Sequence, residues 1–220
     1  MRLRGLAGAV VAALALASAA AQAQGDRRGG VPGDFDFYVL ALSWSPGFCA
    51  REGERRGAAQ CTRGGGLGFV VHGLWPQNER GYPSQCGAER GPSRLAMDEA
   101  RGVYPDEGLA RHEWRVHGTC SGLAPAEYFR AVARARDRVK VPERFQRAGE
   151  PQTVTPLEIE RAFAEANPGL RPDTMAVACR RGALEEMRFC LDKDLRSFRS
   201  CPQVARAGCS TGSLRMDAAR

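Results

Sequence analysis

The chain has 220 residues, 43% of them hydrophobic and 7% aromatic, with a formal net charge of +7. That composition excludes a disordered chain and suits one globular domain, which at this size buries roughly 70% of its unfolded surface. Eight cysteines, three histidines and only two lysines among 32 cationic residues are the unusual counts.

Arg2 and Arg4 precede an apolar stretch from Leu6 to Ala21, which exits through Ala21-Gln22-Ala23. A basic start, an apolar centre and a small-x-small exit predict a signal peptide over residues 1–23, cut near Ala23. The apolar stretch is shorter than the roughly twenty residues a membrane span needs. Cleavage removes Arg2 and Arg4 and no acid, so the net charge falls from +7 to +5. The expected product is periplasmic or secreted, free of the membrane and monomeric. Residues 24–33, rich in Gly, Asp and Arg, predict a flexible leader; residues 34–212 predict a single domain and 213–220 a C-terminal tail.

Phe35 to Trp44 begins with alternation and becomes continuously apolar, as a central strand does, and Leu67 to His72 reads as a second buried strand after a Gly64–Gly66 loop. A polar stretch from Pro76 to Ser93 follows. Helices are expected over Leu95–Arg101, from Pro105-Asp106 to Gly118, and over Pro125–Val139. A further helix is capped by Thr155 with Pro156 in its first turn and closes at Asn167-Pro168. Met175–Cys179 and Met187–Leu191 read as late strands. Nothing repeats and no linker divides the chain, so the prediction is one α+β domain.

All eight cysteines lie beyond the signal peptide, and an even number in an exported chain predicts four disulfides. Binding of metal by cysteine would need close pairs, and the nearest spacing is Cys201 to Cys209.

The three histidines fall in two compact motifs. His72 ends the second strand in His72-Gly73-Leu74-Trp75-Pro76-Gln77; the others lie in His112-Glu113-Trp114-Arg115-Val116-His117-Gly118-Thr119-Cys120. At about 100° per residue, His112, Val116, Glu113 and His117 share a helix face about 140° wide, with Trp114 turned to the core. Glu113 and His117 are an i, i+4 pair, a spacing at which a carboxylate favours imidazolium and orients the ring. A zinc site on the zincin pattern needs histidines four apart, whereas these are five apart; a three-histidine site including His72 is a remaining rival. No G-x-S-x-G elbow is present for a serine nucleophile. Two imidazoles on separate elements suit transesterification of RNA. One takes the 2′-hydroxyl proton and the other protonates the 5′-oxygen, without a cofactor or metal.

These two motifs resemble those of the RNase T2 family of secreted endoribonucleases. Phe69-Val70-Val71-His72-Gly73-Leu74-Trp75-Pro76 is similar to its first active-site segment, and His112 to Cys120 to its second. The likeness runs from Leu42-Ser43-Trp44 to Cys209. It implies a central, mainly antiparallel sheet flanked by helices, with single-stranded RNA rather than DNA as partner. It implies His117 as general base, His72 as general acid, Glu113 as a transition-state stabiliser and His112 as a phosphate ligand. Trp75 would stack on a base or sugar, and Gln77 would serve an upstream base pocket. The implied disulfides are Cys86–Cys120, Cys179–Cys209 enclosing Cys190–Cys201, and Cys49–Cys61.

Three positions depart from the family. Val116 stands where a lysine usually precedes the second catalytic histidine, which predicts a slower enzyme unless Arg115 or another segment supplies the charge. Ser43 stands where many members carry Gln, and Leu109 where an aromatic is common, which predicts loose base preference. The alternative is a secreted RNA-binding or signalling protein on the same scaffold with weakened catalysis.

Overall fold

The computed structural model describes residues 27–62, 66–87, 91–146 and 149–218. The expected signal peptide and most of the Gly64–Gly66 loop lie outside the described residues. The described chain begins with β1 (Arg27–Arg28), β2 (Phe37–Trp44), a one-turn helix α1 (Ser45–Phe48), β3 (Phe69–Gln77) and β4 (Pro83–Ser84). Three helices follow, α2 (Arg94–Ala100), α3 (Glu107–Val116) and α4 (Pro125–Asp137), then β5 (Gln152–Val154) and α5 (Pro156–Ala166). The last elements are β6 (Met175–Arg180), β7 (Ala183–Asp192), α6 (Pro202–Arg206) and β8 (Leu214–Met216).

The sheet is α+β in character and mainly antiparallel: β3, β2 and β7 form its centre, β6 pairs with β7, and β8 links β7 to β5. β2 is continuously apolar because both its faces are covered. Tyr38, Leu40, Leu42 and Trp44 face the large core with the helices, while Phe37 and Val39 pack with Ala176, Cys190, Cys201 and Val204. Each fully buried Leu or Phe contributes about 1.5–3 kcal/mol, so this strand alone anchors much of the fold.

α3 starts where Asp106 accepts a hydrogen bond from the Leu109 backbone N–H at 2.8 Å, a cap worth about 1 kcal/mol. It stops one turn before the disulfide at Cys120, and Trp114 is buried against Tyr128 and Phe129, as its angular position predicts. Gly118 follows because a Cβ there would overlap the Trp114 ring. Tyr128 of α4 donates its hydroxyl proton to the Leu74 carbonyl at 2.9 Å, tying the helical layer to β3.

Four disulfides join Cys49–Cys61, Cys86–Cys120, Cys179–Cys209 and Cys190–Cys201. Cys86–Cys120 fastens the polar segment to the end of α3, where the Gln85 N–H also donates to the Val116 carbonyl. The other two C-terminal bridges fasten the segment around α6 to β6 and β7.

Both chain ends differ from expectation. The leader is held from Arg27 onward: β1 pairs with β4 in parallel, and the Gly33 N–H donates to the Cys120 carbonyl. The expected tail contains β8, which pairs with β5, buries Leu214 and Met216, and is followed by Asp217, whose carbonyl accepts from Trp44 Nε1. Pairings of two or three residues are too short to carry a period, and burial of their side chains depends on distant partners.

Candidate active site

β2 and β3 pair in register until Leu42↔Val71 and Ala41↔Gly73, so His72 is the unpaired residue of a β-bulge. His72 faces the side of the sheet that bears Ser43, Glu186 and Arg188, and the register shift at the bulge brings Trp75 to the same side. Its Nδ1 lies 2.8 Å from Glu186 Oε2, and its Nε2 faces Glu113 Oε1 at 3.7 Å.

Glu113 projects from α3 onto Gly73 and is 1% exposed. Trp75 Nε1 donates to its Oε2 at 2.8 Å. A Cβ on residue 73 would overlap this carboxylate and the indole nitrogen, so glycine is what allows helix and strand to meet here. Burial pushes the Glu113 carboxyl up to about 7, against the opposing pull of the His72 charge and the Trp75 hydrogen bond. The spacing on α3 predicts Glu113 beside His117, yet the contacts that place its carboxylate come from β3. The helix ends at Val116, and His117 is its C-cap, with φ −118°.

Trp75 separates the two catalytic candidates. Its ring is 5.3 Å from His72, edge-on at 81°, and 5.3 Å from His117, tilted by 33°. The Arg188 guanidinium stands 5.5 Å from the same ring. The indole is therefore a structural wedge, half-buried and hydrogen-bonded, as well as a cleft-lining surface.

For His72, burial opposes charge, but the Glu186 hydrogen bond and the charges of Glu113 and Glu186 outweigh it and raise its pKa above 6.5. For His112, burial and the Arg115 charge act together and lower it. Arg115 Nη2 lies 3.2 Å from His112 Nδ1. An arginine can only donate, so Nδ1 accepts and the neutral ring carries its proton on Nε2.

The cleft, about 840 Å³, is lined by His72, Trp75, His112, Ser43, Leu109 and Arg188, among others. Ser43 and Leu109, two of the three departures, thus both line it, one from β2 and the other from α3. Gln77 lies further along β3 beyond Trp75 and does not line this cleft; its backbone carbonyl accepts from Asp36. Glu186 and Arg188 were not singled out in the sequence. Their signal is a charged i, i+2 pair alternating with Met187 and Phe189, two core residues, on one strand.

The Ribonuclease T2 family profile matches residues 35–201. A ribonuclease of Aeromonas hydrophila is 38% identical over 181 residues, which span 80% of this chain and 79% of that protein. Among solved structures, an RNase-related protein from Calystegia sepium superposes with a TM-score of 0.65 at 23% identity, covering 84% of this chain and 98% of that one. RNase NT in complex with 5′-AMP gives a TM-score of 0.57 at 24% identity, covering 77% and 91%. At these identities the two structures speak for the fold; the relatives' catalytic character does not favour a silent RNA-binding protein. The chain belongs to the ribonuclease T2 family and is an endoribonuclease.

Proposed function

We propose that the cleft cleaves single-stranded RNA by transphosphorylation to a 2′,3′-cyclic phosphate, which it then hydrolyses to a 3′-phosphate. The observation that carries this reading is the pair of imidazoles on either side of Trp75, over one buried carboxylate. His117 takes the proton from the 2′-hydroxyl as its oxygen attacks phosphorus. His72, held cationic by the Glu186 carboxylate, gives a proton to the departing 5′-oxygen. In the second step the roles reverse, with water in place of the 5′-hydroxyl. DNA lacks the 2′-hydroxyl, so the base has nothing to activate.

Glu113 retains its proton toward neutral pH, and its Oε1 faces the reacting side while Trp75 occupies Oε2. A protonated carboxyl there donates to a phosphoryl oxygen as charge gathers on the phosphorane. This role gains weight because Val116 supplies no cation. His112 Nε2–H is a second phosphate donor. The part of Trp75 that lines the cleft meets a base or sugar, and Gln77 serves a base further upstream. The acid and base both come from imidazoles, so the chemistry calls for no metal. Four disulfides support an exported protein, matured near Ala23, in an oxidising compartment, and we take it to act as a monomer.

The test is incubation of purified mature protein with RNA in EDTA, with the new ends identified. Cyclic-phosphate ends from wild type, and losses of 10³-fold or more in His72→Ala and His117→Ala, are expected on the order seen for acid–base groups. Absence of cleavage by wild type, or cleavage by both variants at the wild-type rate, overturns the reading.

A further inference from the structure

We propose that Glu186 is a positioning residue for the catalytic acid. Its carboxylate, anchored by Arg188, receives the Nδ1–H of His72 and holds the ring with Nε2 toward the leaving oxygen. The inference rests on the assignment of His72 as general acid.

The arrangement follows from strand geometry. Glu186 and Arg188 sit two apart on β7 and so share a face. Arg188 Nε and Nη2 donate to Glu186 Oε1 at 2.8 and 2.6 Å, which leaves Oε2 for His72 at 2.8 Å. Each carboxylate oxygen thus has its own partner. The Glu186 side chain is 4% exposed, so its ionised form persists only because both partners are present. β2 lies between β7 and β3, with Ser43 opposite both Glu186 and Val70. Two strand spacings amount to about 10 Å, a gap that two long side chains bridge over a serine and that a larger residue would fill. Alternation from Val70 puts the His72 imidazole on this face, and the bulge shifts the register beyond it so that Trp75 lies there too. Without it, strict alternation would send Trp75 toward the helices, away from His72.

The geometry fixes the proton as well as the ring. A carboxylate can only accept, so Nδ1 keeps its hydrogen in the neutral ring and in the imidazolium. Nε2 is then the nitrogen whose proton comes and goes during catalysis. The charged groups facing His72 are Glu186 and Arg188 from β7, and Glu113 and His112 from α3; His117 lies across Trp75. Glu186 also raises the proton affinity of His72, and Arg188 opposes this while keeping Glu186 ionised.

Histidine-labelled protein, with His72 assigned from the His72→Ala spectrum, reads the proposal through long-range 1H–15N correlations. Wild type is expected to carry the neutral-form proton of His72 on Nδ1. In Glu186→Gln the His72 titration should move down by about one pH unit. The alkaline limb of kcat/KM for a dinucleoside monophosphate should move with it, with kcat about tenfold lower at pH 8 and KM unchanged. A 3′-(4-nitrophenyl) phosphodiester of uridine needs no proton on its leaving group, so Glu186→Gln and His72→Ala should each lose much less activity on it than on the dinucleoside. A neutral-form proton on Nε2 in wild type, or a His72 titration unmoved by Glu186→Gln, overturns the proposal. The tautomer is read in wild type and does not depend on the variant folding. If His72→Ala slows the nitrophenyl ester as much as the dinucleoside, the assignment of His72 as acid fails, while the spectra still decide whether Glu186 holds the ring.

Discussion

Replacing Glu113 with Gln preserves the shape of the side chain and an oxygen to accept from Trp75 Nε1, but removes the ionisation. Burial carries this carboxyl from its ordinary 4.5 to about 7, so the folded chain holds the proton more tightly than the unfolded one. A raised pKa means stability that is present at low pH and lost as pH rises from 4.5 through about 7. At 1.36 kcal/mol per pH unit the ionised carboxylate destabilises the folded state by about 3 kcal/mol once both states are deprotonated. Glu113→Gln never carries that charge. Its stability relative to wild type should therefore differ by under about 1 kcal/mol at pH 5 and be about 3 kcal/mol higher at pH 9, the latter about 6–12 °C in Tm for a chain of this size. The raised His72 pKa acts in the same direction on wild type, since a histidine cation favoured by folding is lost as pH rises through its folded pKa. Activity should move oppositely to stability, falling about a hundredfold if the carboxyl donates to the phosphorane. Thermal unfolding of both proteins across this pH range gives the difference directly. A gain that is the same at pH 5 and pH 9 would refute the argument that Glu113 is a buried carboxyl with a raised pKa.

Gly73→Ala places a methyl group into the Glu113 carboxylate. Overpacking of about 1–3 kcal/mol and a loss of kcat/KM of at least about a hundredfold are expected, read by unfolding and by RNA cleavage; near-normal activity would mean the helix can retreat. Val116→Lys restores a cation on the half-buried middle of the active face and should raise kcat by about tenfold. An unchanged rate would show that the charge is already supplied elsewhere. Replacing Cys86 and Cys120 together with Ser opens a loop of sequence separation 34, for a loss of about 3–4 kcal/mol in the free energy of unfolding. A loss below about 1 kcal/mol would mean that the Gln85–Val116 and Cys86–Thr119 hydrogen bonds anchor the end of α3 unaided.

Where neighbouring residues cooperate, the sequence is legible. The cap at Asp106, the glycine at 118 and the apolar stripe that buries Trp114 act within a few residues of one another, so α3 falls within two residues of its expected bounds. The same locality marks β2, whose apolar run from Phe37 to Leu42 reports cover on both faces, and α5, where Thr155 and Glu158 form a reciprocal cap. Because all three histidines fall in two short motifs, the composition itself already pointed to the residues gathered around Trp75 and the cleft.

Three features depended on chain segments far apart in sequence. β1 pairs with β4 and β8 with β5, each more than fifty residues away, and neither carries a period of its own. Glu113 looks toward His117 on a helical wheel, but the packing of α3 on Gly73 delivers its carboxylate to Trp75 and His72. The third is Glu186, 114 residues from His72, which reaches it through the register of three strands and one bulge. Local sequence determined which residues could be acid, base or cap, since those properties belong to side chains and their near neighbours. Which carboxylate meets which imidazole was decided by strand register and helix docking, because a shift of one residue turns a side chain to the opposite face.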